Sequence, residues 1–424
     1  MKTHSWKKLS VLAIAVLAAL SLTECGNSNK SSSGSSSKTT TITFWNGFTA
    51  SDGTNLKKIV ADYNKTNKDH VKVKMDQMSW DNFNEKLPTA ITAKKAPDFV
   101  AMNYGDMAGY VHNGTMKDMS NFYNYKGVDK SNFEKSAVNM GKINGKSYFI
   151  PMQVQGNYLY WNKDLYKKAG INPNSKVKTI AQYMNYAKRI KALGNGVQGT
   201  YWSDFAQWSL VYGGSILNKS ETKSTINNAA NRKVLNQFRQ MMYVEKLGNP
   251  STQGVAVDNL MFAGKLGLEV SGPWLNEGMI KNKINYGVTQ FPTLEKNGKK
   301  QAWLAGVGFG IPSSTDDSKT KAIYSFVKYW NSKKISKRWS QENKCAPYLK
   351  DVAADKQIKN DPVISELAKQ TSYSKVMWSG NVHASDITNN VITPMCNKVV
   401  TGSDVNTQLK LADKKINKIL KDNN

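Results

Sequence analysis

Between Gly145 and Tyr166 the chain reads GKSYFIPMQVQGNYLYWNKDLY, two short apolar runs on either side of a polar link, and this pattern limits what the rest can fold into. Asn144-Gly145 is the dipeptide preferred in a two-residue hairpin, whose central residues both need positive φ. Tyr148, Phe149 and Ile150 predict a short strand ending at Pro151, because proline has no N–H to give an inner ladder. Tyr158 to Trp161 resumes as a second strand. The link Gln153 to Asn157 is a candidate hinge, and 424 residues are too many for one ordinary core. Two globular halves joined by this crossing are expected.

Upstream, Thr43-Phe44-Trp45 predicts a strand, and Leu56, Ile59, Val60 and Tyr63 follow at helical spacing. Val71 and Val73 alternate with lysines, a helix is expected over about 81–94, and Asp98 to Met102 reads as a buried strand. This βαβαβ order predicts a mainly parallel sheet with helices on both faces. Past the crossing, 180–193 and 232–247 are amphipathic, with Gly194 and Gly248 as stops. Strands are expected at 266–270 and 286–292, and the three glycines in Leu304 to Ile311 allow the close backbone approach of a second crossing.

Lys2, Lys7 and Lys8 precede an apolar run from Leu9 to Leu20, the build of a secretory signal and too short to span a bilayer. Gly26 to Thr41 is polar and aperiodic, as a flexible linker is. Formal net charge is +28. Nearly all of that is lysine spread along the chain, with Arg189, Arg232, Arg239 and Arg338 as the arginines. Such a surface suits an anionic cell wall better than nucleic acid, for which no Arg-rich helix or aromatic RNA-binding strand is present.

Catalytic and metal motifs are wanting. Gly141 to Ser147 has three residues between its glycines where a phosphate loop needs four. Gly194 to Gly199 follows a helix, whereas dinucleotide binding requires a strand before and a helix after. The histidines His4, His70, His112 and His383 lack metal-ligand spacing, so neither a metal nor another cofactor is expected. Of the three cysteines, Cys345 and Cys396 are either a disulfide pair or two buried thiols.

The blocks Ile42-Thr43-Phe44-Trp45, Ala96-Pro97-Asp98, Gly145 to Pro151, Trp161-Asn162-Lys163-Asp164-Leu165 and Ser271-Gly272-Pro273-Trp274 together resemble extracellular solute-binding proteins of family 1, the receptors of ABC importers. The resemblance runs from Ile42 to about Leu420. It implies an α/β, two-lobed periplasmic-binding-protein-like fold of type II, with a third crossing in the polar stretch through Lys337. Lobes of 42–153 plus 308–334 and 157–304 plus 338–424 would follow a signal peptide, 1–24, and a lipid anchor with linker, 25–41. Cys25 stands where a lipoprotein signal places its modified cysteine, although Glu24 departs from the small residue usual before it; a secreted or uncleaved, membrane-held form is the alternative.

The implied role is capture of a carbohydrate in the interlobe cleft by a monomeric, lipid-anchored receptor, which passes it to permease subunits with a separate ATPase. Indoles stack on the C–H faces of sugars, and hydroxyls need fixed polar partners. Trp274, after Gly272-Pro273 at a strand end, is the leading contact. Trp45, Asn46, Asp106, Gln155, Tyr158, one of Trp202 and Trp208, Gly306, Phe309 and Trp378 complete the expected site. Gln155 replaces a glutamate found in maltose-binding members. A receptor for glycerol 3-phosphate or its diesters is the alternative within the class, and a cell-wall glycoside hydrolase or adhesin is the alternative outside it.

Overall fold

Strand β1 (Thr40–Asn46) begins two residues ahead of the expected Ile42, because Thr40 and Thr41 already pair with Val71 and Lys72. The structure, a computed structural model, describes residues 39–49, 51–378 and 380–422. The expected signal segment, Cys25 and most of the expected linker lie outside the described residues. β1 runs parallel between β2 (Val71–Gln77) and β3 (Phe99–Asn103), with helices Ser51–Thr66 and Trp80–Thr92 as the crossovers. Ile42 and Phe44 are buried at period two, and the Phe44 ring stacks on Phe99 with centroids 4.4 Å apart. Asp98 anchors the start of β3: its carboxylate accepts from the Thr43 backbone N–H at 2.8 Å and from Lys319 Nζ at 2.9 Å.

β4 (Lys142–Ile143) and β5 (Lys146–Ser147) form the expected hairpin, with Asn144 and Gly145 both at positive φ. β6 (Phe149–Gln155) and β7 (Tyr158–Asn162) flank Gly156-Asn157. β7 is the centre of a second sheet, antiparallel to both β8 (Leu268–Ser271) and β9 (Tyr286–Thr289). β10 (Trp303–Gly310) joins the first sheet antiparallel to β3 and β6, and β11 (Lys375–Val376) pairs with it in parallel. The first sheet is therefore mixed and the second antiparallel, rather than both mainly parallel. A strand arriving straight from the other half has no crossover helix to reverse it, so it adds antiparallel.

Pro151 does not end its strand. The β6–β10 register shifts between Val307 and Gly308, so Pro151 sits at a bulge that does not require its missing N–H. The close approach expected of the glycine-rich crossing is found at Gly306, where a Cβ would fall on the Gln153 carbonyl.

One hydrophobic cluster surrounds the first sheet and includes Phe99, Phe309, Phe326 and Trp330; it also reaches Tyr158, Tyr160 and the helices Val255–Phe262 and Leu275–Lys281. The other packs β7 and β8 against Tyr183, Trp208, Phe238, Val399 and Ile416. The polar stretch through Lys337 is helical. Ser332 caps a helix there, Lys333–Asn343, whose lysines face out while Ile335 and Trp339 pack into the first cluster. Tyr348, Ile364 and Leu367 belong to that cluster too, and Ile387 is in the second. Residues 338–367 touch both halves: Trp339 packs into the first cluster, while Asn276 Nδ2 donates to the Lys344 carbonyl and Glu366 accepts from Lys176.

The two clusters also decide the cysteines: Cys345 is buried in the first and Cys396 in the second, both as free thiols. Burial pushes the Cys345 thiol up to about 12 and raises Cys396 as well. A non-reducing peptide map should therefore contain no peptide joining Cys345 to Cys396; finding one would contradict the separate packing.

Glu366, in the helix Pro362–Thr371, ties the first cluster to the second sheet. It accepts from Lys176 Nζ at 2.7 Å, Gln290 Nε2 at 3.0 Å and Thr289 Oγ1 at 3.2 Å. Burial opposes its charge, but the hydrogen bonds and charge of Lys176, with Gln290 and Lys369, hold its carboxyl down at about 2. This contribution is complete above the ordinary 4.5 and fades as pH falls through about 2. Urea melts at falling pH should show Glu366→Gln less stable than the parent at neutral pH and nearly equal to it in strong acid. Equal stability at neutral pH would remove the tie.

Candidate functional site

Glycines at the ends of two strands each carry an indole. Beyond β1, Gly47 leaves no room for a Cβ because the Trp80 ring lies against it; beyond β8, Gly272 is covered in the same way by Trp274. Trp80 opens a helix capped by the Ser79 hydroxyl, and Trp274 precedes the helix Leu275–Lys281. The turn under Trp274 is fixed by hydrogen bonds from Tyr160 Oη to the Gly272 carbonyl, 3.1 Å, and from Asn276 Nδ2 to the Pro273 carbonyl, 3.0 Å.

Both indoles line a cavity of about 510 Å³, with Gln153, Gln155 and Val307 contributed by the crossing strands. A second chamber of about 270 Å³ is lined by Tyr104, Asn157, Asp204, Trp303 and Met377. Gln155 and Trp274 line both, so the chambers are parts of one cleft. Gln155 is held from behind: Trp339 Nε1 donates to Gln153 Oε1 at 2.9 Å, and Gln153 Nε2 donates to Gln155 Oε1 at 2.9 Å.

The charge of the cleft opposes that of the chain. Asp52, Asp258 and Glu277 line the larger chamber and Asp204 the smaller, and no Lys, Arg or His is among the described residues lining either. Burial raises the Asp204 carboxyl, opposed by a hydrogen bond from Asn157 Nδ2 and one from the Gln207 backbone. Burial also raises Asp258. No group of three or more His, Cys, Asp or Glu among the described residues could hold a metal ion.

Of the residues expected from sequence, Trp274 and Gln155 line the cleft, and Trp274 is 51% exposed. Trp45 and Asn46 lie just short of the lining residues Gly47, Phe48 and Thr49. Trp45 is half-buried against the first core, and the buried Asn46 side chain accepts from the Phe48 N–H, shaping the turn. Asp106 is two residues past Tyr104; its carboxyl is raised by burial, and it is not in the lining. Tyr158 and Phe309 are core residues, and Gly306 is packed under β6.

Trp202 and Trp208 are both core. Trp208 is 1% exposed, ringed by Tyr183, Phe238 and Phe291, and Trp202 Nε1 donates to the Pro250 carbonyl. Trp378, at φ 49°, packs on the second core, while its neighbours Val376 and Met377 line the smaller chamber. Sequence reasoning missed Trp80, Trp303, Asp258 and Glu277. Trp80 was findable, since it stands just beyond a strand end as Trp274 does; the two acids sit on helices with nothing local to mark them.

Residues 58–366 match the family model described as bacterial extracellular solute-binding protein. A galactooligosaccharide-binding protein of Bacillus subtilis is 28% identical over 385 residues, 87% of each chain. An sn-glycerol-3-phosphate-binding periplasmic protein of Brucella melitensis is 22% identical over 326 residues, 73% of this chain and 74% of the relative. An ABC substrate-binding protein from Listeria monocytogenes, solved in complex with cycloalternan, superposes with a TM-score of 0.79 over 90% of this chain and 99% of its own at 23% identity, a likeness of fold. The α/β architecture, a cleft with an indole on each wall and the family match over most of the chain agree: the chain belongs to the bacterial extracellular solute-binding proteins.

Proposed function

We propose that this chain is the capturing receptor of an ATP-driven importer and that its cleft takes a neutral carbohydrate, an oligosaccharide long enough to occupy both chambers. The observation that carries this reading is the lining: acidic side chains with no Lys, Arg or His among the described lining residues, and an indole on each side. Carboxylates accept from sugar hydroxyls, and indole faces cover sugar C–H surfaces. A phosphate ester would meet Asp52, Asp204, Asp258 and Glu277 with no cation of the lining to neutralise it, which weighs against the glycerol 3-phosphate alternative. The galactooligosaccharide-binding relative supports the same choice.

A ligand touching both walls stabilises the closed arrangement by contacts that the open one lacks, so closure follows from differential affinity. Binding without turnover is the expected chemistry, and the loaded receptor hands its cargo to permease subunits. Family membership makes the chain an exported protein. Attachment to the outer face of the cytoplasmic membrane through lipid on Cys25, and action as a monomer, complete the proposal.

A thermal-shift series with galactotriose, maltotriose, mannotriose and glycerol 3-phosphate tests the ligand class. At least one trisaccharide should raise the melting temperature and be recovered intact, and glycerol 3-phosphate should not. A shift from the phosphate alone would reverse the assignment. Trp274→Ala should weaken the trisaccharide by roughly tenfold to a hundredfold, the scale of an aromatic hot spot. Gly272→Ala should weaken it as well by displacing the indole; unchanged affinity in both variants would take Trp274 out of the site. Cys25→Ser should release the protein from cells, and a variant that stays membrane-bound would exclude that anchor.

A further inference from the structure

Trp303, the first residue of β10, is half-buried and lines the smaller chamber. Its indole Nε1 donates to the Ala206 carbonyl at 2.9 Å, and its backbone N–H donates to Gln207 Oε1 at 3.0 Å. Both acceptors belong to the helix Phe205–Val211. That helix is fastened again just ahead of β10: Gln207 Nε2 donates to the Gln301 carbonyl at 3.0 Å, and Gln301 Nε2 donates to the Leu210 carbonyl at 2.7 Å. An indole tied at its ring nitrogen and at its own backbone keeps one orientation, so little remains to be ordered when something settles on it.

The same helix sets a hydrogen-bond acceptor in the same chamber. Asp204 caps it: the Gln207 N–H donates to Asp204 Oδ1 at 3.2 Å, and Asn157 Nδ2 donates to Asp204 Oδ2 at 2.5 Å. Each bond takes one lone pair of an oxygen that has two, which leaves the carboxylate able to accept more. Helix caps are ordinarily extended, but Asp204 sits at φ 41°, in the left-handed region that glycine enters freely and other residues enter at a cost. Gln207 thus serves both groups, holding Trp303 with its side chain and Asp204 with its backbone. It is 1% exposed and is not among the residues lining either chamber.

We propose that the smaller chamber is a subsite for one terminal sugar unit, with Trp303 as its stacking face, Asp204 as its hydroxyl acceptor and Gln207 as the positioning residue for both. The proposal rests on the saccharide reading of the cleft and adds a chain length to it. The larger chamber, about 510 Å³ against about 270 Å³, has about twice the volume of the smaller and carries Trp80 and Trp274, so it takes two units where the smaller takes one. A trisaccharide then spans the cleft, whereas a disaccharide held between Trp80 and Trp274 leaves the smaller chamber to water. Selectivity for length is set by Trp303, which lies outside the lining of the larger chamber.

Titration calorimetry with matched pairs tests this: galactobiose and galactotriose, maltose and maltotriose, mannobiose and mannotriose. The readout is the ratio of trisaccharide to disaccharide affinity. In the parent, the ratio for the recognised series should be roughly tenfold or more, the scale of an aromatic hot spot. Trp303→Leu and Gln207→Leu should each bring it toward unity. Trp80→Leu should weaken both lengths and leave the ratio near the parent's, as a general loss of stability would. Trp303→Phe keeps a ring but gives up the bond to the Ala206 carbonyl and should fall between; it carries the test if the leucine variant does not fold. A parent that binds both lengths equally, or a ratio unmoved in the Trp303 and Gln207 variants, would overturn the proposal while leaving the saccharide reading in place. If neither length of any series binds the parent, the saccharide reading itself fails and the subsite falls with it.

Discussion

The Trp274 ring can occupy its place only because residue 272 has no side chain, and the cleft is built on that kind of contact. The same arrangement recurs on the other side with Gly47 and Trp80. In each case a glycine just past a strand end lets the ring settle on bare backbone, and the ring stands at the start of a helix, so a large flat surface is held with few rotatable bonds to order. Tyr160 and Asn276 hold the turn beneath Trp274 from within the core. The rings are thus set before any ligand arrives, which lowers what ordering would cost on binding.

Between the walls, β6 and β10 serve the cleft and the crossing at once. Gly306 brings β10 against the Gln153 carbonyl, while the Gln153 side chain relays a hydrogen bond from Trp339 to Gln155 in the cleft. Gln370 adds a second fastening, donating to the Asn157 carbonyl at 2.8 Å and accepting from the Phe291 backbone at 2.7 Å. Ordered crossings of this kind confine relative movement of the halves to a hinge. The acids of the cleft then stand out against a chain of net charge +28: no Lys, Arg or His is among the described residues that line it.

The opening βαβαβ run, the hairpin at Asn144-Gly145 and the place of Trp274 at a strand end on the cleft wall were legible in the residues because each depends on local pattern. Pro151 misled because the bulge that accommodates it is made by β10, far along the chain. The polar stretch at Lys337 hides its helix for a related reason: lysines alternate there with a buried face in which two of the four residues, Ser336 and Ser340, are polar beside Ile335 and Trp339. Trp202 and Trp208 show the limit of reading aromatics by their neighbours, since flanking Gly and Asp did not keep them from the second core.

Small-angle scattering on the folded chain, with and without a saturating trisaccharide that binds it, tests most directly whether the two walls grip one ligand. The account predicts a smaller radius of gyration in the bound state, with the change lost when the Trp274 ring is removed. Full occupancy with an unaltered scattering curve would contradict it.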